Sequence, residues 1–387
     1  MTPLKAGGRP WLALGLALGW LSACDRPPER VVIGVALSRA YHQGVEMAVE
    51  EINAEGGIRG VPVELEGLDW VVVDNFDPRD AIGWAKHFAE IEDLVAVIGH
   101  SDSASTLAAA PFYNQLEVPQ IVTTATNPAI TDIGAWTYRL CVSDSVQGAA
   151  LAEYAVSDWS KRRLALLYVN DDYGRQLASL FQEQAHELGA EVVAAVPLNN
   201  SLGAADKQLI TRSLAHLAEL DFDRPEDLVV LFLRRYGATF ALQAISEQEG
   251  LTPDVLGGDS IGLPVLAELA CDLGLDLRAA LFFVPAPGDE RATRFSESYL
   301  AHYGEVPDYG SAFAYDATYL IRDVAVAGGL SRAGVRQAIE ELIERSVPIQ
   351  GVAGTYVLGP DHDALRQFYI GVAEDGAFRP LQAVGPQ

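Results

Sequence analysis

Continuous apolar runs, each followed by residues at helical spacing, repeat along most of the chain, and this alternation restricts the fold more than any other feature. The run Val31-Val32-Ile33-Gly34-Val35-Ala36-Leu37 suits a parallel strand covered on both faces. Val45, Ala48, Val49 and Ile52 then share one helical face, and Gly56-Gly57 supplies a left-handed stop. The beat continues with strands predicted at Val63 to Leu65, Trp70 to Val73, Leu94 to Ile98 and Gln120 to Thr123. Helices are predicted around Ala81 to Phe88 and Ser105 to Leu116. After Arg139 a second series places strands at Leu164 to Val169, Glu191 to Val196, Leu228 to Leu233 and Asp254 to Leu256. Its helices run over Val146 to Val156, Gln176 to Leu188, Asp206 to Leu220 and Ala238 to Glu249. The last third reads as mostly helical, at Glu290 to His302, Ser311 to Ala327 and Ser331 to Arg345. Two α/β lobes, each a doubly wound parallel sheet, follow from this pattern. With no Gly/Ser-rich linker between the series, several chain crossings between lobes are expected.

Composition closes off other classes. The 387 residues carry a formal charge of −26, which offers no electrostatic route to nucleic acid. An apolar content of 49% against 21% charged residues is that of a globular chain, not a disordered one. Three cysteines, Cys24, Cys141 and Cys271, cannot form a disulfide framework or a regularly spaced zinc cluster, and at most one bridge is possible. Seven scattered histidines lack ligand spacing, so neither a metal nor a cofactor is expected.

Lys5 and Arg9 precede an apolar stretch, Trp11 to Ala23, that is shorter than the roughly 20 residues a membrane span needs. That order reads as an export signal. Leu21-Ser22-Ala23-Cys24 resembles a bacterial lipobox, which implies cleavage after residue 23 and lipidation of Cys24. Residues 24–30 then form a polar tether. The expected location is the membrane surface facing the periplasm, or the cell exterior in a Gram-positive host.

Catalytic signatures are incomplete. Gly99-His100-Ser101-Asp102-Ser103 has serine where a nucleophile elbow needs its final glycine, and no Walker A loop, G-x-G-x-x-G or H-E-x-x-H is present. Instead, polar loops follow strands. Ser101, Ser103, Ser105 and Thr106 open a helix, where free N–H groups suit a carboxylate, although a plain helix cap uses the same residues. Thr123-Thr124-Ala125-Thr126-Asn127-Pro128 follows another strand, as a second cleft loop or a hydroxyl-rich turn. In open α/β sheets ligands sit beyond the carboxyl ends of strands, so the two loops favour a small-molecule cleft.

Glu46 to Ile58, Val97-Ile98-Gly99-His100 with Ser103 and Thr106, and Thr124 to Pro128 together resemble the leucine/isoleucine/valine-binding protein family, the type I periplasmic substrate-binding proteins of ABC importers. Asp172-Tyr173-Gly174, Gly257-Gly258-Asp259 and Phe313 to Ala317 continue the match. The resemblance implies two lobes joined by a three-crossing hinge, with residues 31–143 and 286–352 in lobe 1 and 144–285 and 353–387 in lobe 2. The crossings fall near Cys141 to Ser145, Val284 to Gly288 and Gly351 to Tyr356. It further implies a carboxylate clamp of Ser103 and Thr126 with the backbone at Thr124, and Asp259 on the ligand's ammonium. Tyr173 walls the second lobe, Phe313 the first, and Tyr236 stands near another cleft position with Arg235 as the alternative occupant.

The chain departs from the family where only Ser38-Arg39-Ala40-Tyr41-His42 connects the first strand to the first helix, and where Glu66-Gly67-Leu68-Asp69 is inserted. The short connection leaves branched-chain specificity open, and Arg234-Arg235 keeps an amide or acidic ligand open. The expected function is a monomeric, lipid-anchored binding protein, not an enzyme, that captures an amino acid and delivers it to ABC permease subunits. Two rivals are a sensor or envelope-assembly lipoprotein of the same fold and a hydrolase built on Ser101 or Ser103.

Overall fold

The computed structural model describes residues 2, 28–67, 78–199, 202–285 and 289–386. The signal, Cys24 and most of the tether lie outside these residues, as do the strand expected at Trp70 to Val73, residues Leu68 and Asp69, and the end of the second expected crossing.

The first lobe opens with β1 (Val31–Ala36), α1 (Arg39–Ala54), β2 (Val63–Gly67), α2 (Pro78–Glu90), β3 (Leu94–Gly99), α3 (Ser103–Gln115), β4 (Gln120–Val122) and β5 (Thr137–Arg139). Its strands lie in the order β2-β1-β3-β4-β5, all parallel. β1 and β3 are buried at every position, which is why they read as unbroken apolar runs.

The second lobe follows with α4 (Asp144–Glu153), which runs into a π-helical turn at Tyr154–Asp158, then β6 (Arg163–Val169), α5 (Gly174–Glu187) and β7 (Glu191–Leu198). It continues through α6 (Ala204–Glu219), β8 (Asp227–Phe232), α7 (Arg235–Glu247), β9 (Asp254–Gly257), α8 (Pro264–Leu273) and β10 (Leu277–Leu281). The chain then builds α9 (Glu290–Tyr303), α10 (Tyr309–Gly328), α11 (Arg332–Glu344) and the strands β11 (Ile349–Gly351), β12 (Gly354–Leu358), β13 (Ala364–Arg366), β14 (Phe368–Glu374) and β15 (Ala377–Val384). The second sheet has the order β15-β14-β10-β9-β8-β6-β7, parallel from β7 to β10, with β14 and β15 antiparallel at one edge.

The C-terminal segment differs from the sequence reading in two ways. The three helices expected there are present, and they are followed by five strands that the sequence reading left unassigned, of which β14 and β15 form a hairpin around Asp375-Gly376, both at positive φ (52° and 79°). Past the expected change of lobe at residue 353 the chain touches both cores: Ala353 packs against the second. Tyr356, Leu358 and Ala364 pack into the core formed by Val31, Ile33 and Ala317, so β12 and β13 sit on the first lobe, and Phe368 and Ile370 of β14 return to the second core.

α10 and α11 complete the first lobe. α1 crosses α10 at close range through Gly44 and Gly310. A Cβ on Gly44 would stand 2.1 Å from the Ser311 carbonyl, and one on Gly310 would stand 2.2 Å from the Tyr41 ring. This contact brings Tyr41 and the start of α10 to the junction between lobes. Nearby, the buried Asp316 carboxylate accepts the Val352 N–H at 2.7 Å and the Ala353 N–H at 3.1 Å, fixing the turn between β11 and β12. Cys141 and Cys271 are free thiols: Cys141 Sγ donates to the Ala125 carbonyl, and Cys271 Sγ accepts the Gly376 N–H.

Candidate ligand-binding cleft

Between the lobes lies a cavity of about 540 Å³, reached from the ends of β1, β3 and β4 on one side and β6, β8 and β9 on the other. On the first-lobe wall, Asp102 caps α3, its carboxylate accepting the Ser105 N–H at 3.0 Å. Ser103 opens the helix and its Oγ accepts the Asn127 N–H at 3.4 Å, so its own hydroxyl proton stays free for a ligand. Thr124 Oγ1 already donates to the Ser101 carbonyl at 2.9 Å. Ser101 Oγ in turn accepts the Ser38 N–H at 2.7 Å, which ties the short connection before α1 to the turn after β3.

A buried arginine shapes this wall from behind. Arg139, at the end of β5, donates from Nη1 to the carbonyls of Thr126 (2.9 Å) and Asn127 (2.6 Å). Its Nε and Nη2 hold both Asp363 oxygens at 2.8 and 2.6 Å. The bidentate pair offsets the cost of burying the guanidinium.

The second-lobe wall centres on Asp259, just after β9 and 2% exposed. Its Oδ1 accepts from Gln147 Nε2 at 3.1 Å and from the Tyr173 hydroxyl at 2.9 Å, and its Oδ2 from the Tyr309 hydroxyl at 3.2 Å. Two donors on one oxygen and one on the other leave a lone pair of Oδ2 open. Burial pushes this carboxyl above the usual range, while the Gln147, Tyr173 and Tyr309 donors pull it back. The same Gln147 amide donates to Asp144 Oδ1 at 3.2 Å, and burial followed by the Asp259 charge raises the Asp144 carboxyl well above its ordinary value.

Five of the expected site residues, Ser103, Thr124, Tyr173, Asp259 and Tyr236, line this one cavity, with Tyr236 at its exposed rim. Two do not. Thr126 is buried behind the wall, where its carbonyl serves Arg139. Phe313 is fully buried between Phe282, Tyr309 and the Arg366 guanidinium, so it belongs to the interlobe core. Tyr309, one helical turn earlier on α10, reaches the cavity in its place. Arg234 and Arg235 both line the cavity. Sequence reading missed Gln147, whose only signal is a polar residue inside a helix, and Tyr309, the first residue of α10.

Neither Ser101 nor Ser103 is hydrogen-bonded to a histidine among the described residues. The His100 ring is turned to the Tyr113 hydroxyl at 3.1 Å, and burial lowers its pKa to about 3. Among the described residues no group of three or more His, Cys, Asp or Glu is placed to hold a metal ion, and no helix is long and apolar enough to cross a membrane.

The sequence profile of the periplasmic binding proteins matches residues 34–377. The chain belongs to that family. It is similar to an amino acid binding protein of Pseudomonas aeruginosa, 29% identical over 62% of this chain and 63% of that relative's length. It also resembles Leu/Ile/Val-binding protein homolog 1 of Brucella abortus, 26% identical over 81% of this chain and 79% of that one. Among solved structures, the leucine binding protein LivK of Thermotoga maritima superposes with a TM-score of 0.78 at 24% identity, over 92% of this chain and 99% of that one. A solute binding protein of an ABC transporter from Rhodopseudomonas palustris, in complex with 3,4-dihydroxybenzoic acid, has a TM-score of 0.79 at 17% identity, over 93% and 98% of the chains. These likenesses establish the type I periplasmic binding protein fold. Proteins with an amino acid and with an aromatic acid in their names share it equally, so the ligand has to be argued from the cleft itself.

Proposed function

We propose that the chain is the extracytoplasmic substrate-binding component of an ABC importer, anchored through a lipid on Cys24, and that it captures an α-amino acid between its lobes for delivery to a permease. It acts as a receptor, not as an enzyme. The observation that carries the reading is Asp259: a buried carboxylate on the cavity wall with one lone pair free, opposite the Ser103 hydroxyl and the N-terminus of α3. A zwitterion leaving water needs an acceptor cluster at its ammonium and donors at its carboxylate, and these two walls supply one each. Contacts from both lobes to one ligand favour the closed arrangement by the ligand's differential affinity for it.

A thermal-shift screen of residues 28–386 against amino acids, their amine-free acids and amides tests the ligand class. An amino acid at about 100 times its Kd should stabilise the fold by about 2.7 kcal/mol. The reading falls if an amine-free acid raises the melting temperature and no zwitterion does. Delivery is tested separately by deleting the gene and measuring uptake of the same amino acid, and anchoring by replacing Cys24 and following the protein out of the membrane fraction.

A further inference from the structure

A zwitterion held between Asp259 and Ser103 leaves one charge of the cleft unused. The acids on the cavity wall each have a partner within the protein: Asp102 caps α3, Asp259 takes three donors, and Asp308 accepts the N–H and the hydroxyl of Ser311, both at 2.9 Å. Of the two cations, Arg234 holds Asp171 Oδ2 at 2.7 Å and stands 5.6 Å from the centre of the Tyr173 ring. Its burial works against the charge, but Asp171 and then Asp102 keep the guanidinium protonated. Arg235 makes no ion pair with any described residue and lies only over the Tyr236 ring, at 5.9 Å.

The backbone at this place is equally unspent. Arg234 is the N-cap of α7 and offers no side-chain cap. The first-turn N–H groups of Arg235, Tyr236 and Gly237 find no acceptor among the described residues, and all three residues line the cavity. A fork-shaped cation and an uncapped helix N-terminus therefore face the same space, across from the wall that would take the ligand's own α-carboxylate. Val169, Leu198, Leu233 and Leu263 line the cavity as well, an apolar surface suited to a short methylene stem.

We propose that Arg235 and the start of α7 form a second anion subsite, and that the preferred ligand is an α-amino acid whose side chain ends in a carboxylate; this subsite rests on the amino acid reading of the cleft. The ligand's α-ammonium meets Asp259, its α-carboxylate meets Ser103, and its distal carboxylate meets Arg235. Arg235 is exposed at the rim beside Tyr236, so a neutral branched side chain would leave its guanidinium to water and gain no contact from it.

Titration calorimetry of the protein with L-glutamate, L-glutamine and L-leucine, in parallel on wild type, Arg235→Met and Arg235→Lys, tests this. Wild type should bind glutamate at least about tenfold more tightly than glutamine or leucine, as one charge-assisted contact warrants. Arg235→Met should weaken glutamate about 10- to 100-fold and leave glutamine within about threefold, and Arg235→Lys should recover part of the loss. The subsite is refuted, with the amino acid reading intact, if leucine binds at least as tightly as glutamate and Arg235→Met changes neither. It is also refuted if Arg235→Met weakens every ligand by the same factor, since that would mark a general effect on closure and not a contact with the distal carboxylate. Binding of glutarate by wild type in the absence of any amino acid binding would overturn both readings.

Discussion

Replacing Asp259 by asparagine isolates the charge that a ligand ammonium would meet. The substitution keeps the shape of the side chain, its Oδ1 still accepts from Gln147 and Tyr173, and the Tyr309 hydroxyl can turn to accept from the new amide. Removing a buried negative charge also relieves its desolvation, so the unliganded fold should change by less than about 1 kcal/mol. Binding is another matter. Loss of one partner of a desolvated ion pair costs about 3–5 kcal/mol, or roughly a 150- to 5,000-fold increase in Kd. Titration calorimetry near neutral pH on wild type and Asp259→Asn reads this directly, and thermal melting without ligand controls for folding. The pH profile gives an independent sign. Because burial raises the Asp259 carboxyl, it takes up a proton at higher pH than a free carboxylate, so wild-type affinity should fall on mild acidification. The variant should lose that dependence. A Kd for Asp259→Asn within about threefold of wild type, or equal wild-type affinity for an amino acid and its amine-free acid, would refute the ammonium role.

Other expectations concern the scaffold. Gly44→Ala places a Cβ against the Ser311 carbonyl, where backbone must move, and should cost about 1–3 kcal/mol in denaturant unfolding. Arg139→Met strips the carbonyls of Thr126 and Asn127 and leaves Asp363 unpaired, a loss of about 3–5 kcal/mol, with ligand affinity falling as the wall loosens. Asp316 has its pKa raised from 3.8 to about 6, chiefly by burial. The folded state therefore binds the extra proton between these values, and stability should drop by at most about 3 kcal/mol as pH rises from about 4 to about 6. Asp144, Asp259 and Asp308 act in the same direction, so Asp316→Asn should flatten the slope of melting temperature against pH without abolishing it.

Fold class was legible because parallel strands buried on both faces announce themselves as runs such as Val31 to Ala36 and Leu94 to Gly99. Short or half-exposed strands carry no such run. β5 is three residues, and β15 is a strand of exposed and half-buried positions whose Asp375-Gly376 turn the sequence reading did not pick out. Within the cleft, residues at strand ends were readable from loop chemistry: Ser103, Thr124, Tyr173 and Asp259 all line one cavity. Residues brought in by long-range packing were not. Nothing local separates Tyr309 from Phe313, since which one reaches the cavity depends on how α10 crosses α1. Gln147 gains its role only when α4 meets the turn after β9.

The late contribution of α10 and α11 to the first lobe has a consequence in time. β5 ends at Arg139 and α11 ends at Glu344, so about 205 residues separate the last strand of that sheet from the helices that cover it. At about 5–20 residues per second, synthesis needs roughly 10–40 s to cross that interval. For that period β1 and β3 have no completed core to enter, and the chain emerges with its most apolar segments unprotected. Neither half of the molecule can finish before the last third of the chain exists.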